Sequence, residues 1–441
     1  MFDSTIAVIS TALSPGAISI VRVSGEDAIS IVQKIFDGNL LDAKSHTIHY
    51  GHIIDHEKVI DEVLVSVFRA PKTYTTEDIV EINCHGGVYI TRKILALVLS
   101  HGAQLAKPGE FTQRAFYHGR IDLSQAEAVE DMIEATNDTA SQLAIQGIQG
   151  SIKKLLDPLI EDLLNIIAQI EVNIDYPEYE DVEQLTNDHL LPLVNQWLER
   201  LDEILNRAQC GQLAKKGIDT VLIGRPNVGK SSLLNALLEE DKAIVTDIAG
   251  TTRDIVEGQI HIGPAQFNLI DTAGLHESKD AIEQIGIEKS LEKLNQAQLV
   301  ILVLDGSKPL SKEDEELIEK TKYKNRIIVY NKKDIVDQKN DQIWISAQNK
   351  DIDQLLDAMK KLYQEDVLLE EPLLSNERQI GLLNNAKQEM LQAKEAMIMG
   401  VEPDLVEIDI QSAHNHLKEI LGEVHRDDLL DTLFSKFCLG K

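Results

Sequence analysis

The octet Gly224-Arg225-Pro226-Asn227-Val228-Gly229-Lys230-Ser231 constrains what this chain can fold into more than any other stretch. It follows the apolar run Thr220-Val221-Leu222-Ile223 and precedes Ser232-Leu233-Leu234-Asn235-Ala236-Leu237-Leu238. A buried strand thus feeds a glycine-rich turn that opens an amphipathic helix, the setting a phosphate-binding loop requires. Backbone N–H groups of such a turn curl round an anion, and the helix N-terminus adds positive potential. Lys230 has the reach for the outer phosphates, and the Ser231 hydroxyl is placed to ligate Mg²⁺.

Four further motifs follow in order. Asp247-Ile248-Ala249-Gly250-Thr251-Thr252 fits a switch segment whose Thr252 completes the Mg²⁺ shell, and Asp271-Thr272-Ala273-Gly274 reads as a strand end facing the γ-phosphate. Asn331-Lys332-Lys333-Asp334 also follows an apolar strand. There the Asp334 carboxylate accepts two hydrogen bonds from guanine, which adenine cannot supply. Ser346-Ala347 suits a backbone contact to the guanine O6. The set predicts GTP and GDP as ligands rather than ATP. Leu275 stands where many small GTPases place the glutamine that orients the attacking water. Another group must therefore serve, and Glu283, in the segment just beyond, is the candidate carboxylate.

The six strands expected from Thr220 to Ile345 alternate with helices, which predicts a mostly parallel, doubly wound sheet. Residues up to about Lys107 read as a compact α+β unit, with strands at Ile6–Ile9, Ala17–Val23, Val63–Phe68 and Ile79–Ile82 and a helix from Gly25 to Phe36. Helical spacing dominates from Asp122 to Ala208 and again from Asn376 to Phe437. The fold class expected is multidomain: an α+β N-terminal domain, a discontinuous all-α helical domain, and an inserted α/β P-loop GTPase (Ras-like) domain. The expected boundaries are 1–118, 119–215, 216–366 and 367–441, the second and fourth being the two parts of the helical domain.

The formal charge of −30 opposes nonspecific binding to nucleic acid, so an RNA partner must meet a local basic patch or a second protein. Cys84, Cys210 and Cys438 are far apart, which argues for a reducing, cytoplasmic location and against a cysteine-built zinc site. No run is long and apolar enough for a membrane span.

The chain resembles the tRNA-modification GTPase family known as MnmE or TrmE. The resemblance rests on Val21-Arg22-Val23-Ser24-Gly25, on Pro108-Gly109-Glu110-Phe111-Thr112-Gln113-Arg114-Ala115-Phe116 with Asp122-Leu123-Ser124-Gln125-Ala126-Glu127-Ala128, on the GTPase motifs, and on Phe437-Cys438-Leu439-Gly440-Lys441. It implies an N-terminal domain that forms a homodimer and binds a tetrahydrofolate derivative (5-formyl- or methylene-) through Arg22, Glu81, Arg120 and Lys441. It implies a flavoprotein partner, MnmG (GidA), in a heterotetramer or larger complex, and addition of an aminomethyl or carboxymethylaminomethyl group to C5 of the wobble uridine of certain tRNAs. It also implies catalysis by paired G domains around K⁺, held by Asn227, by Thr246 and Ile248 carbonyls and by Thr251, with Glu283 orienting water and Ser231 and Thr252 on Mg²⁺. Lys230 and Asp271 complete the catalytic set, and Cys438 is a candidate for the modification chemistry. His276, His118 and Ser14-Pro15-Gly16-Ala17 depart from the common pattern of the family. A ribosome-assembly GTPase switch is the alternative reading, and the charge disfavours it.

Overall fold

The computed structural model describes residues 4–175, 187–239, 258–262, 265–271, 297–336, 342–362, 373–424, 427–435, 437 and 440. The chain packs as two compact units, one of Met1–Glu134, Gly147–Ala168 and Glu407–Lys441, the other of Ala135–Gln146 and Gln169–Val406.

The first unit opens with β1 (Ile6–Ile9), β2 (Ile18–Ser24), α1 (Ala28–Gln33), β3 (Thr47–Asp55), β4 (Lys58–Phe68), β5 (Ile79–His85), α2 (Val88–Ser100), β6 (Gln104–Leu105), α3 (Glu110–Tyr117) and α4 (Leu123–Glu134). Its sheet runs β3-β4-β5-β2-β1-β6, antiparallel except for the β1–β6 pair. Alternation puts Val63, Val65, Val67, Val80 and Ile82 on one face, where they are buried with Ile31, Val32, Ile94 and Val98 of the helices. The other face leaves Ile48, Tyr50 and Leu64 exposed.

Two elements of this unit carry weak sequence signals. In β3 the alternation is broken by Gly51 and by histidines, and only pairing along β4 makes the strand. In α3 the residues are mostly polar, and the helix is held by burial of Arg114 rather than by an apolar stripe. The helix expected over Gly25 to Phe36 is shorter, because Gly25 takes φ +139° and Phe36 turns out to bridge Ile53.

The chain continues through α5 (Asp138–Ile148), α6 (Ser151–Asp175) and α7 (Asn187–Lys216). The α/β layer of the second unit follows, as β7 (Ile218–Ile223), α8 (Lys230–Leu238), β8 (Gly258–Ile262), β9 (Ala265–Asp271), β10 (Leu299–Asp305), α9 (Lys312–Lys320), β11 (Arg326–Asn331), β12 (Ile343–Trp344) and α10 (Asp353–Lys361). The sheet order is β12-β11-β10-β7-β9-β8, parallel throughout except that β8 pairs antiparallel with β9. Every residue of β10 is buried, as a central parallel strand covered on both faces requires.

The final helices are α11 (Glu377–Ile398), α12 (Pro403–Leu421) and α13 (Asp427–Phe434). Helix α11 packs along α7. Gly211 of α7 lies against the Leu374 carbonyl, where a β-carbon would collide, and Lys216 pairs with Glu377. Helix α7, which leads into the α/β layer, and α11, which follows it, therefore pack against each other within the second unit. Helix α13 stops at Phe434, short of the expected Phe437, whose ring instead packs edge-on against Phe434 at 5.2 Å.

Candidate functional site

The C-terminal ends of the parallel strands form the crevice where an open α/β sheet binds ligands. The loop after β7 sits there, and Gly224 is pressed on the Val303 carbonyl of β10 with no room for a β-carbon. Asn227 and Gly229 take positive φ, 63° and 99°, which turn backbone amides inward before α8 begins. The Lys230 ammonium lies across the loop, donating to the carbonyls of Gly224 (2.9 Å) and Arg225 (3.0 Å). Ser231 and Ser232 follow it on the exposed side of the first turn. The buried Val228 contributes its carbonyl to the next motif.

Asn331 closes β11 and ties the loops together. Its Nδ2 donates to the Val228 carbonyl at 2.8 Å, while its Oδ1 accepts the Lys332 amide at 2.8 Å and the Ala347 amide at 3.0 Å. One buried amide thus fixes the phosphate loop, the Lys332 turn (φ 73°) and the Ser346-Ala347 loop against one another. The Ser346 hydroxyl donates to Asp334 at 2.6 Å, and Asp334 itself stays exposed, an oriented carboxylate open to a ligand. Asp271 ends β9 at the same crevice. Asn227, Val228, Gly229, Lys230, Ser231, Ser232, Asp271, Asn331, Lys332, Asp334, Ser346 and Ala347 are therefore brought to one edge of one sheet. Thr246, Asp247, Ile248, Ala249, Gly250, Thr251, Thr252, Thr272, Ala273, Gly274, Leu275, Glu283, Cys438 and Lys441 lie outside the described residues.

Two carboxylates that the motif reading passed over belong to this site. Asp305, at the end of β10, accepts the Lys332 ammonium at 2.7 Å and both the amide and hydroxyl of Ser307. Burial pushes its carboxyl upward, but the Lys332 and Ser307 hydrogen bonds outweigh it and hold the pKa below the usual 3.8. Asp314, in the first turn of α9, behaves alike. Burial opposes its charge, and the Arg225 and Ser311 hydrogen bonds prevail. The strand-end Asp305-Gly306 pair and the Ser311-Lys312-Glu313-Asp314 capping pattern were the legible signals.

The first unit holds a separate cavity of about 860 Å³, lined among others by Arg22, Tyr74, Glu81, His118 and Arg120. The β2–β5 register sets Arg22 opposite Glu81, and the Arg22 Nε donates to Glu81 Oε1 at 2.8 Å. Its Nη1 donates to the Gly440 carbonyl at 3.1 Å, which ties Gly440 to this cavity wall. Arg120 stacks 4.9 Å over the Tyr74 ring and donates to the Tyr74 carbonyl at 2.9 Å. Burial raises the Tyr74 phenol above its ordinary 10.0, against the Thr112 hydrogen bond and the charges of Arg120 and Arg22. A volume of this order suits a cofactor-sized ligand, on the scale of roughly 300–1,000 Å³ for such sites. Two guanidiniums, an aromatic ring and a carboxylate suit a flat, hydrogen-bonding ligand that carries an anionic group.

Arg114 explains the long polar signature Pro108 to Phe116. It is fully buried and donates to Glu77 at 2.9 Å and to Glu110 at 2.9 Å, while Gln113 reaches Asp431 of α13 at 3.0 Å. Gly109 takes φ 69° directly under the Phe434 backbone. The signature is thus a scaffold behind the cavity.

A family model described as the MnmE helical domain matches residues 123–438, and one described as GTP-binding protein TrmE N-terminus matches residues 5–120. The tRNA modification GTPase MnmE of Lactococcus lactis subsp. cremoris (strain SK11) is 47% identical over 450 residues, covering 100% of this chain and 99% of the relative. That of Bacillus cytotoxicus is 48% identical over 457 residues, covering 100% of both. Among solved structures, a point variant of Aquifex aeolicus Era bound to GDP.AlF4- is 27% identical, with a TM-score of 0.27, over 40% of this chain and 67% of that one. Domains, loop motifs and full-length likeness agree: the chain belongs to the tRNA modification GTPase MnmE family and is a GTP hydrolase of tRNA modification.

Proposed function

We propose that this GTPase is K⁺-activated and acts with a flavoprotein partner of the MnmG (GidA) kind, in a heterotetramer or larger complex, to add a carboxymethylaminomethyl or aminomethyl group to C5 of the wobble uridine of certain tRNAs. The observation that carries the reading is the pairing, in one chain, of a strand-end crevice that presents Asp334 beside the phosphate loop with a separate cavity built from Arg22, Glu81, Arg120 and Tyr74. A nucleotide switch alone needs no second ligand site.

In this reading Asp334, oriented by Ser346, accepts the two guanine N–H groups, and an adenine would leave that acceptor unmatched. Lys230 exchanges the Gly224 and Arg225 carbonyls for phosphate oxygens, and the inward amides between Asn227 and Lys230 hold the rest of the charge. Ser231 and Thr252 are the ligands for Mg²⁺, with Asp271 holding it through water; Asn227, Thr246, Ile248 and Thr251 are those for K⁺. Bound there, the cations offset charge that develops on the transferring phosphoryl group. Glu283 orients the attacking water, which the apolar Leu275 cannot do. Hydrolysis then follows meeting of two G domains, and the resulting change of shape is passed to the modifying complex. Arg22, Glu81, Arg120 and Lys441 hold the tetrahydrofolate derivative that supplies the one-carbon unit, and Cys438 remains a candidate for the modification chemistry. The exposed Ile48, Tyr50 and Leu64 on one sheet face support homodimerisation of the N-terminal domain. Three widely spaced cysteines support a cytoplasmic location. Among the described residues no helix is long and apolar enough to cross a membrane.

The deciding measurement is mass analysis of tRNA nucleosides from a deletion strain, in which the modified wobble uridine is expected to be lost. Unchanged nucleosides, together with co-purification on pre-ribosomal particles, would move the assignment to a ribosome-assembly switch. For the ion, GTP turnover is expected to be faster in KCl than in NaCl, and equal rates in the two salts defeat K⁺ activation.

A further inference from the structure

Three devices hold the phosphate loop. Gly224 rests on the β10 backbone, and the Val228 carbonyl is taken by Asn331. The third comes from outside any nucleotide motif: Arg225 Nε donates to Asp314 Oδ1 at 2.7 Å. The Asp314 side chain is almost wholly buried, at 2% exposed against 23% for Arg225. Its other oxygen, Oδ2, accepts the Ser311 amide and hydroxyl, each at 2.9 Å, so one carboxylate closes the capping box of α9 and clamps the loop. The clamp falls where it matters. The Arg225 carbonyl is one of the two that receive Lys230, and Pro226 restricts the Arg225 backbone to extended conformations. Fixing the Arg225 side chain therefore fixes the carbonyl from which Lys230 must depart.

We propose that Asp314 is a positioning residue for GTP binding, which sets the opening of the phosphate loop by holding Arg225 from the first turn of α9. The proposal rests on the reading of Gly224–Ser231 as the phosphate loop. It also makes a prediction opposite in sign to simple electrostatics. Removing a carboxylate beside an anion site should, on charge alone, tighten nucleotide binding. Loss of a clamp should loosen it.

The test uses the full chain and mant-GDP, with dissociation followed by stopped-flow fluorescence and melting by circular dichroism. Asp314→Asn is expected to raise the mant-GDP Kd by about tenfold, or about 1.4 kcal/mol, mainly through faster release. Arg225→Ala should match it, and the double variant should be no worse than either single one. Ser311→Ala breaks the same helix cap but spares the ion pair, so it should lower the Tm and leave the Kd within about twofold. Arg225→Lys, which keeps a cation but not the planar fork, should fall between wild type and Arg225→Ala. Tighter binding by Asp314→Asn, additive effects in the double variant, or a Kd change in Ser311→Ala equal to that in Asp314→Asn would each overturn the proposal. Lys230→Ala reports on the loop itself: if it retains wild-type mant-GDP affinity, the phosphate-loop reading fails first and Asp314 with it.

Discussion

In the proposed function, Asp334 carries base selectivity with the help of its neighbour. Ser346 takes one carboxylate oxygen at 2.6 Å and so fixes the plane of the other. Replacing Asp334 by Asn puts an N–H donor against the guanine donors. GDP affinity is expected to fall by roughly ten- to a hundredfold, matching about 1–3 kcal/mol for an unmatched buried hydrogen-bonding group, and xanthosine diphosphate should regain it. Competition titration with the two nucleotides checks this, and a variant that keeps its preference for GDP refutes it. Asp305 makes the parallel case for pH. Its carboxyl titrates below 3.8 when folded because Lys332 and Ser307 outweigh burial, so on acidification the unfolded chain takes up the proton first. The stability it contributes is complete above the ordinary carboxylate range and is lost as pH falls through the folded value. Asp305→Asn should therefore lose less Tm than wild type between about pH 5 and pH 3. Trp344, stacked on Tyr330 at 5.2 Å and lying against Gly306, reports that transition in a Trp197→Phe background. Parallel pH profiles for the two proteins would count against the Asp305 assignment.

Strand β9 is an element with two jobs. Its last residue, Asp271, belongs to the nucleotide edge, and its inward-facing Gln266 and Asn268 build a polar run to the helices of the same unit. Gln266 Oε1 accepts the Thr136 hydroxyl at 2.7 Å and Asn137 Nδ2 at 3.2 Å, while its Nε2 donates to Asn268 at 3.0 Å. Asn268 Nδ2 donates in turn to the Lys216 carbonyl and the Asp219 carboxylate, both at 2.9 Å. Gln266 and Asn268 are themselves buried, so truncating Gln266 leaves the Asn268 side-chain oxygen without its donor. Gln266→Ala is expected to cost about 1–3 kcal/mol, read as a lower urea midpoint at unchanged slope. A midpoint equal to that of wild type would mean that water replaces the ladder freely.

At the scale of the whole molecule, the N-terminal sheet presents Tyr50 at 66% and Ile48 at 67% exposure, with Leu64 opposite Tyr50 in register. Neighbouring apolar side chains on an open sheet face are a common mark of association. A second copy is the occupant the proposed function requires. Tyr50→Glu is expected to shift the full chain from dimer to monomer in sedimentation at micromolar concentration, with the Tm little changed because the residue is not in the core. A variant that sediments as wild type would place the dimer contact elsewhere.

The nucleotide edge was legible because each motif is local: a strand, a turn and a helix start specify a phosphate loop within a dozen residues, and Asn331 to Asp334 specify a base loop within four. Arg22 and Arg120 were not legible without the family likeness, since on sequence an arginine in a strand or turn reads as a solvated cation. Register across β2 and β5, not spacing, gives Arg22 its Glu81, and a turn more than forty residues away from Tyr74 in the chain gives Arg120 its ring. Asp314 and Arg114 were hidden for the same reason, as partners distant in sequence that folding alone brings within 3 Å. Sequence by itself determined the strand–turn–helix of the phosphate loop, the alternating layer around it and the ligand class that edge accepts, because propensity and turn chemistry act over a few residues. Tertiary structure alone decided which charges are paired and buried, because long-range strand pairing and helix packing select those neighbours.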